Sequence, residues 1–222
     1  MTHDQVLDLS RRGSYYGEML SGQLVETHIS WVLFSDKYAF KIKKPLKFSF
    51  LDFSTSRLRE INCQKEILLN SRFSNIYLST EPVFFKNGNW EIGGQGDKPI
   101  DYVVVMRKMD DAKRMDRMIE SGEVDGNSIV DLAKMIARLH LLAPEIDNKF
   151  DLFQSKALFN DIASLPDLLD GTYKKEDIRS VIKSAIEKSN TFLEKNQYVF
   201  QERIDHGLKR DLHGDLHCSA WI

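Results

Sequence analysis

The sequence predicts an α+β fold of two lobes: an antiparallel sheet with one inserted helix over residues 1–107, then a helical part over residues 108–222. Three observations predict it. Segments rich in β-branched and aromatic residues fill the first half. A capped helical stretch, from Ser54 or Thr55 to about Asn70, interrupts them. Beyond Arg107 the apolar residues recur with the spacing of helices.

Taken in order, residues 2–20 read as one or two leading helices. Val25 to Phe34 reads as a strand interrupted by the polar Glu26-Thr27-His28. Ser35-Asp36-Lys37 forms a short turn, and Tyr38 to Lys43 alternates as a second strand, so the two make a hairpin. Pro45 stops the second strand, because proline has no N–H to give a ladder. The helix that follows carries Ile61, Ile67 and Leu68 on part of an apolar face.

Pro82 to Ile92 holds Asn87-Gly88 between two apolar runs. That dipeptide is a strong hairpin signal, since both residues tolerate the positive φ of a type I′ turn. Gly93-Gly94-Gln95-Gly96 reads as a loop between strands. Ile100 to Met106 is nearly continuously apolar, the pattern of a central strand covered on both faces. The charged stretch Arg107 to Arg117 reads as a connector and a helix start. Helices are predicted over Ile129–Leu142, which Pro144 ends, Ala157–Leu169 and Lys175–Tyr198. Asp211 to Ile222 reads as a loop dense in His and Asp. This order of elements fits a two-lobed kinase-type fold, and equally a generic α+β domain.

Composition narrows the function classes. The 31 Lys and Arg against 33 Asp and Glu give no global pull toward nucleic acid or an anionic membrane. No apolar run approaches the roughly 18 residues that would span a bilayer. Met1 to Ser10 is polar and has no signal-peptide core. Cys63 and Cys218 are far apart and belong to no C-x-x-C pair, so free thiols in a reducing cytoplasm are expected.

The chemistry-bearing residues sit in both halves. The tail carries His213-Gly214-Asp215-Leu216-His217. Phosphoryl transfer needs an Asp that accepts the proton of the attacking hydroxyl, and cations that neutralise the transferred group. Upstream, Ala39-Phe40-Lys41 places a lysine on the second strand of the hairpin, where it can reach α- and β-phosphates. Lys43 and Lys44 lie close by, and strand alternation puts Lys41 and Lys43 on one face. A Glu on the following helix would fix that lysine: Glu66 is the first candidate and Glu60 the second. Backbone groups of Arg107, Lys108 and Met109, just past the central strand, would contact a base. No Walker A pattern is present, and Thr27-His28-Ile29-Ser30 is placed to act as a phosphate-covering loop. An alternative set exists at the C-terminal end. His213, Asp215 and His217 alternate, with Cys218 and His206 nearby, and such N, O and S ligands suit a zinc-dependent hydrolase.

Five stretches carry a resemblance. They are Glu26-Thr27-His28-Ile29-Ser30-Trp31-Val32, Tyr38 through Pro45, Phe50-Leu51-Asp52-Phe53-Ser54-Thr55, Glu66 through Asn70, and Asp211 through His217. In these residues and their order, the chain resembles the aminoglycoside phosphotransferase-like enzymes of the protein-kinase-like superfamily. The resemblance implies transfer of a γ-phosphoryl group from ATP or GTP, with Mg2+, to the hydroxyl of a small molecule. It implies Asp215 as catalytic base beside His213, Lys41 as phosphate lysine and Glu66 as its partner. Two departures stand out. Ala220 occupies the position of a metal-binding asparagine, and the chain ends at Ile222, before the family's second metal-binding Asp and its acceptor helices. On these grounds the sequence reads as a shortened member with impaired transfer, or as a nucleotide-binding pseudoenzyme.

Overall fold

A computed structural model describes residues 1–48, 51–96, 98–165 and 175–212. These fall into two compact units, residues 1–132 and residues 133–212. The protein is α+β, and its sheet is dominated by antiparallel pairs.

The chain opens with helix α1 (His3–Arg12). Thr2 caps it reciprocally with Gln5: the Thr2 hydroxyl accepts from the Gln5 backbone N–H, and the Gln5 side-chain Oε1 accepts from the Thr2 N–H. The leading helix expected over residues 2–20 is therefore shorter than predicted. Gly13 closes it, and strands β1 (Ser14–Tyr15) and β2 (Glu18–Met19) follow as a tiny hairpin. Its turn residues Tyr16 and Gly17 both hold positive φ, at 46° and 86°.

The segment read as one interrupted strand is two. Strands β3 (Leu24–Glu26) and β4 (Ser30–Phe34) pair around Thr27-His28-Ile29, and β4 pairs in turn with β5 (Tyr38–Lys43). The polar interruption is itself a turn, so three strands form a meander where a hairpin was predicted. Strands β6 (Lys47–Phe48) and β7 (Leu51–Asp52) make a separate small pair. Helix α2 (Ser56–Asn70) then starts at Thr55, whose hydroxyl accepts from the Leu58 N–H.

Strands β8 (Tyr77–Lys86) and β9 (Asn89–Ile92) flank Asn87-Gly88, with φ of 51° and 80° as the type I′ turn requires. Pro82 is tolerated inside β8 because its carbonyl accepts from Gly93, one residue past the end of β9. On that side the missing proline N–H breaks no ladder bond. Strand β10 (Asp101–Arg107) lies between β8 and β5, the central position its apolar run predicts.

Among the described residues the main sheet has eight strands in the order β2-β1-β9-β8-β10-β5-β4-β3, more than the five expected from the sequence. The surplus comes from β1 and β2 and from the division of β3 from β4. The pair β1–β9 is parallel, a pairing distant in sequence that no local pattern announces.

Strand alternation sorts the two faces of this sheet. Trp31, Leu33, Phe40, Ile42, Val103 and Val105 join Val6 and Leu9 of α1 in the main core. The opposite face carries Lys41 and Val104, paired across β5 and β10, and is covered by α2. Beyond β10 a 3-10 turn (Asp111–Lys113), helix α3 (Met115–Glu120) and helix α4 (Gly126–Leu142) follow.

In the second unit, α5 (Leu152–Asn160) starts upstream of its predicted position, because Asp151 caps it by accepting from the Gln154 N–H. Helices α6 (Lys175–Lys195) and α7 (Gln197–Asp205) divide the segment predicted as one, with Asn196 between them. Phe150 stacks on Phe200 at 4.7 Å, and Lys156 pairs with Glu194. Arg210 donates to the Leu141 and Ala143 carbonyls at 3.3 and 3.0 Å, and so satisfies acceptors at the end of α4. No helix among the described residues is long and apolar enough to cross a membrane.

Candidate functional site

Lys41 and Lys43 lie two positions apart on β5, and both side chains reach the α2 face. Glu66 sits in the third turn of α2 and meets them there. Lys41 Nζ donates to Glu66 Oε1 at 2.8 Å, and Lys43 Nζ donates to Oε2. Each carboxylate oxygen therefore has its own ammonium. Glu60, the alternative partner, is held instead by Arg57 on the helix surface at 2.9 Å. Lys44, the third lysine of the cluster, pairs with Glu26 at 2.6 Å and lies over the Trp31 ring.

The three groups are differently placed. The side chain of Lys41 is 28% exposed, that of Lys43 7% and that of Glu66 12%. Lys43 also stands over the ring of the buried Phe53, 4.9 Å from its centroid. Burial alone would lower the pKa of Lys41, but the charge of Glu66 and its hydrogen bond raise it above the usual lysine value. Burial alone would raise the pKa of Glu66, and the two lysines hold it below the usual carboxylate value. Lys41 and Glu66 are thus both ionised at neutral pH. Two ammonium groups against one carboxylate leave net positive charge at the rim where Lys41 emerges.

Tyr77 of β8 and Cys63 of α2 border the cluster. Burial pushes the Cys63 thiol up to about 12, so it is a neutral packing group and not a nucleophile. Behind the cluster lies a second buried ion set that the sequence reading missed. Asp101, fully buried at the start of β10, accepts from Arg59 of α2 at 2.8 Å and from the Met1 ammonium at 2.6 Å. Arg59 also donates to the Phe53 carbonyl at 2.7 Å. This set ties α2 and the start of α1 to the sheet. Its signal in the sequence was an Asp at the head of an otherwise apolar run, Asp101 to Met106.

The other predicted residues are arranged along β5. At its Lys43 end, Ser30 is the cross-strand partner of Lys43, and the Lys44 N–H donates to the Ile29 carbonyl. The hydroxyls of Thr27 and Ser30 bond each other at 2.8 Å, and the Ser30 N–H donates to the Thr27 hydroxyl at 3.0 Å. They brace the turn, leaving His28 exposed at its tip. At the opposite end, Arg107 pairs with Tyr38, three residues before Lys41 and so about 10 Å along the strand. Lys108 is anchored there, its Nζ donating to the Ser35 carbonyl at 3.2 Å, and Met109 is exposed.

His213, Asp215, His217, Cys218 and Ala220 lie outside the described residues. His206, considered as a zinc ligand, has its Nδ1 at 2.7 Å from the Glu202 carbonyl. Among the described residues no group of three or more His, Cys, Asp or Glu side chains could hold a metal ion.

No protein-family model matches the chain. It is 29% identical over 196 residues to uncharacterised proteins of Mycobacterium bovis and Mycobacterium tuberculosis, a match that covers 86% of this chain. The matched region spans 37% of the length of these curated relatives. Among solved structures, the 2.2 Å crystal structure of WbdD aligns with 79% of this chain and 50% of its own, at a TM-score of 0.29 and 8% identity.

Proposed function

We propose that the chain binds a nucleoside triphosphate, ATP or GTP, on the α2 face of its sheet, as the nucleotide-holding part of a protein-kinase-like phosphotransferase. One observation carries the proposal: Lys41 and Glu66 form an ion pair between β5 and α2, with Lys41 at the accessible rim. A strand lysine held by a helix glutamate is the arrangement that places a compact point charge on nucleotide phosphates. The net positive charge of the cluster favours a polyanion there.

In this reading the nucleotide lies along β5. Its base sits at the Arg107 to Met109 backbone and its phosphates at Lys41, under the turn formed by Thr27 to Ser30. Mg2+ would be held partly by the phosphate oxygens, with water and carboxylate oxygens completing its shell, and would neutralise phosphate charge. Asp215, beside His213, takes the proton of the acceptor hydroxyl, which belongs to a small molecule. A second reading, nucleotide binding without transfer, is favoured by Ala220, which offers no ligand atom where the resemblance has a metal-binding asparagine. Under that reading, binding does not require Mg2+.

The test is a titration with a fluorescent ATP analogue, with unlabelled ATP as competitor. Lys41→Met weakens binding at least about tenfold, the loss expected for a charge-assisted contact to phosphate. Lys47→Met, in the exposed strand β6, leaves it unchanged. Equal binding by wild type and Lys41→Met would sink the proposal.

A further inference from the structure

We infer that Arg210 is a positioning residue for Asp215: it fixes the direction in which the chain leaves α7 on its way to the proposed base. The inference rests on the preceding reading in its transfer form, with Asp215 taking the proton of the acceptor hydroxyl.

The chain turns sharply after α7. Gly207 takes a φ of 65°. Its N–H and that of Leu208 donate to the Ile204 and Arg203 carbonyls, both at 2.8 Å. A Cβ at Gly207 would lie 3.0 Å from the Glu145 carboxylate, so the turn needs glycine for space as well as for its φ. Glu145 and Arg210 then form an isolated antiparallel bridge. Beside it the Ile146 N–H donates to the Lys209 carbonyl at 2.9 Å, and the Asp211 N–H donates to the Pro144 carbonyl at 3.0 Å. A two-stranded pairing this short is marginal by itself.

The Arg210 side chain reinforces it. Nε donates to the Gly207 carbonyl at 2.7 Å, and Nη1 donates to the Leu141 and Ala143 carbonyls at 3.3 and 3.0 Å. Nη2 pairs with Glu145 at 3.0 Å. One planar group thus joins the turn after α7, the end of α4 and the bridge, a span that the single ammonium of a lysine does not match. The Glu145 carboxylate is largely exposed, so the carbonyl bonds carry more of the anchoring than the ion pair. Asp215 follows Arg210 by five residues, at most about 18 Å of extended chain. Anchoring Arg210 therefore limits where the base can stand. Misplacing such a group by about 1 Å can cost about a hundredfold in rate. Nucleotide binding does not use Asp215, so the effect falls on kcat.

The experiment is ATP hydrolysis by the full chain with Mg2+, water serving as acceptor. The water oxygen bonds to the γ-phosphorus, the bond to the ADP oxygen breaks, and Asp215 takes the water proton. Arg210→Lys lowers kcat at least about tenfold and leaves KM for ATP within about twofold. Lys209→Gln, which removes the exposed neighbouring cation, changes neither. In an Asp215→Asn background, Arg210→Lys costs less than about twofold, because the base it positions is gone. Hydrogen exchange on the same variants reads the anchor directly: the Ile146 and Asp211 amides exchange faster in Arg210→Lys. If that variant fails to fold, Gly207→Ala disturbs the same turn with Arg210 retained, and it too lowers kcat with KM unchanged.

An equal loss in both backgrounds means Arg210 acts other than through Asp215, and overturns the inference. Faster exchange at Ile146 and Asp211 with unchanged kcat, in Arg210→Lys or in Gly207→Ala, means a merely structural role and overturns it too. A wild-type chain that binds ATP without hydrolysing it overturns the transfer reading and this inference together, and leaves the nucleotide site standing.

Discussion

Asp101→Asn costs about 3–5 kcal/mol of unfolding free energy, the usual result of removing one member of a buried ion set. Asp101 is fully buried and faces two cations, the Arg59 guanidinium and the Met1 ammonium. The amide has nearly the same shape but no charge, so both cations are left in the interior without a counter-ion. Because Arg59 belongs to α2, the loss loosens the helix that carries Glu66 as well as the sheet beneath it. Urea unfolding followed by Trp fluorescence measures the change. The comparison is Asp52→Asn, whose partner Lys47 is largely exposed and whose loss changes stability little. An Asp101→Asn chain as stable as wild type would show that the buried set contributes nothing.

Glu66→Gln is the second large effect, a loss of about 3 kcal/mol at neutral pH. Lys41 is partly open to solvent, which places the cost at the lower end of the range for buried pairs. The effect depends on pH with a definite sign. The pKa of Glu66 is lowered by folding, so the unfolded state binds more protons as the pH falls. The stability Glu66 supplies is complete above the usual carboxylate value of about 4.3, and is lost as the pH drops through its lower folded value. At the other extreme, the pKa of Lys41 is raised, so its contribution is complete below about 10.4 and is lost only above that. The gap between wild type and Glu66→Gln is therefore constant from about pH 5 to about pH 9 and closes in acid. Denaturant midpoints across pH give this directly. A gap that widened in acid would contradict the ionised pair.

Much of the scaffold was legible because its signals are local. Thr55 announces α2 as a cap, Asn87-Gly88 announces the β8–β9 turn, and the apolar run through Val103 to Val105 announces a central strand. Glu66 was preferred over Glu60, and the structure brings Glu66 to the lysines while Glu60 turns to Arg57. What was not legible depends on tertiary placement. Lys41 and Lys43 share a face and a spacing, so only the packing of Phe53 and the depth of α2 distinguish the buried lysine from the accessible one. The parallel pairing of β1 with β9 joins residues far apart in sequence, and short strands such as Ser14–Tyr15 carry too few residues to show a period. Arg59 looks like an ordinary helix charge until the fold brings it to Asp101, whose own place at the head of an apolar run names no partner. The hydroxyls of Thr27 and Ser30 suggested a phosphate loop; in the structure they bond each other and shape the turn that presents the loop.

The most direct test of the nucleotide site is chemical labelling with a mixed acyl phosphate of ATP. Bound at the site, its acyl carbon is attacked by the nearest lysine amine, ATP leaves, and the acyl group stays on that lysine as an amide. Peptide mass spectrometry then identifies the residue. The account predicts that Lys41 is labelled first, that excess ATP protects it, and that buried Lys43 is labelled far less. Labelling spread over exposed lysines such as Lys47, without protection by ATP, would contradict the account.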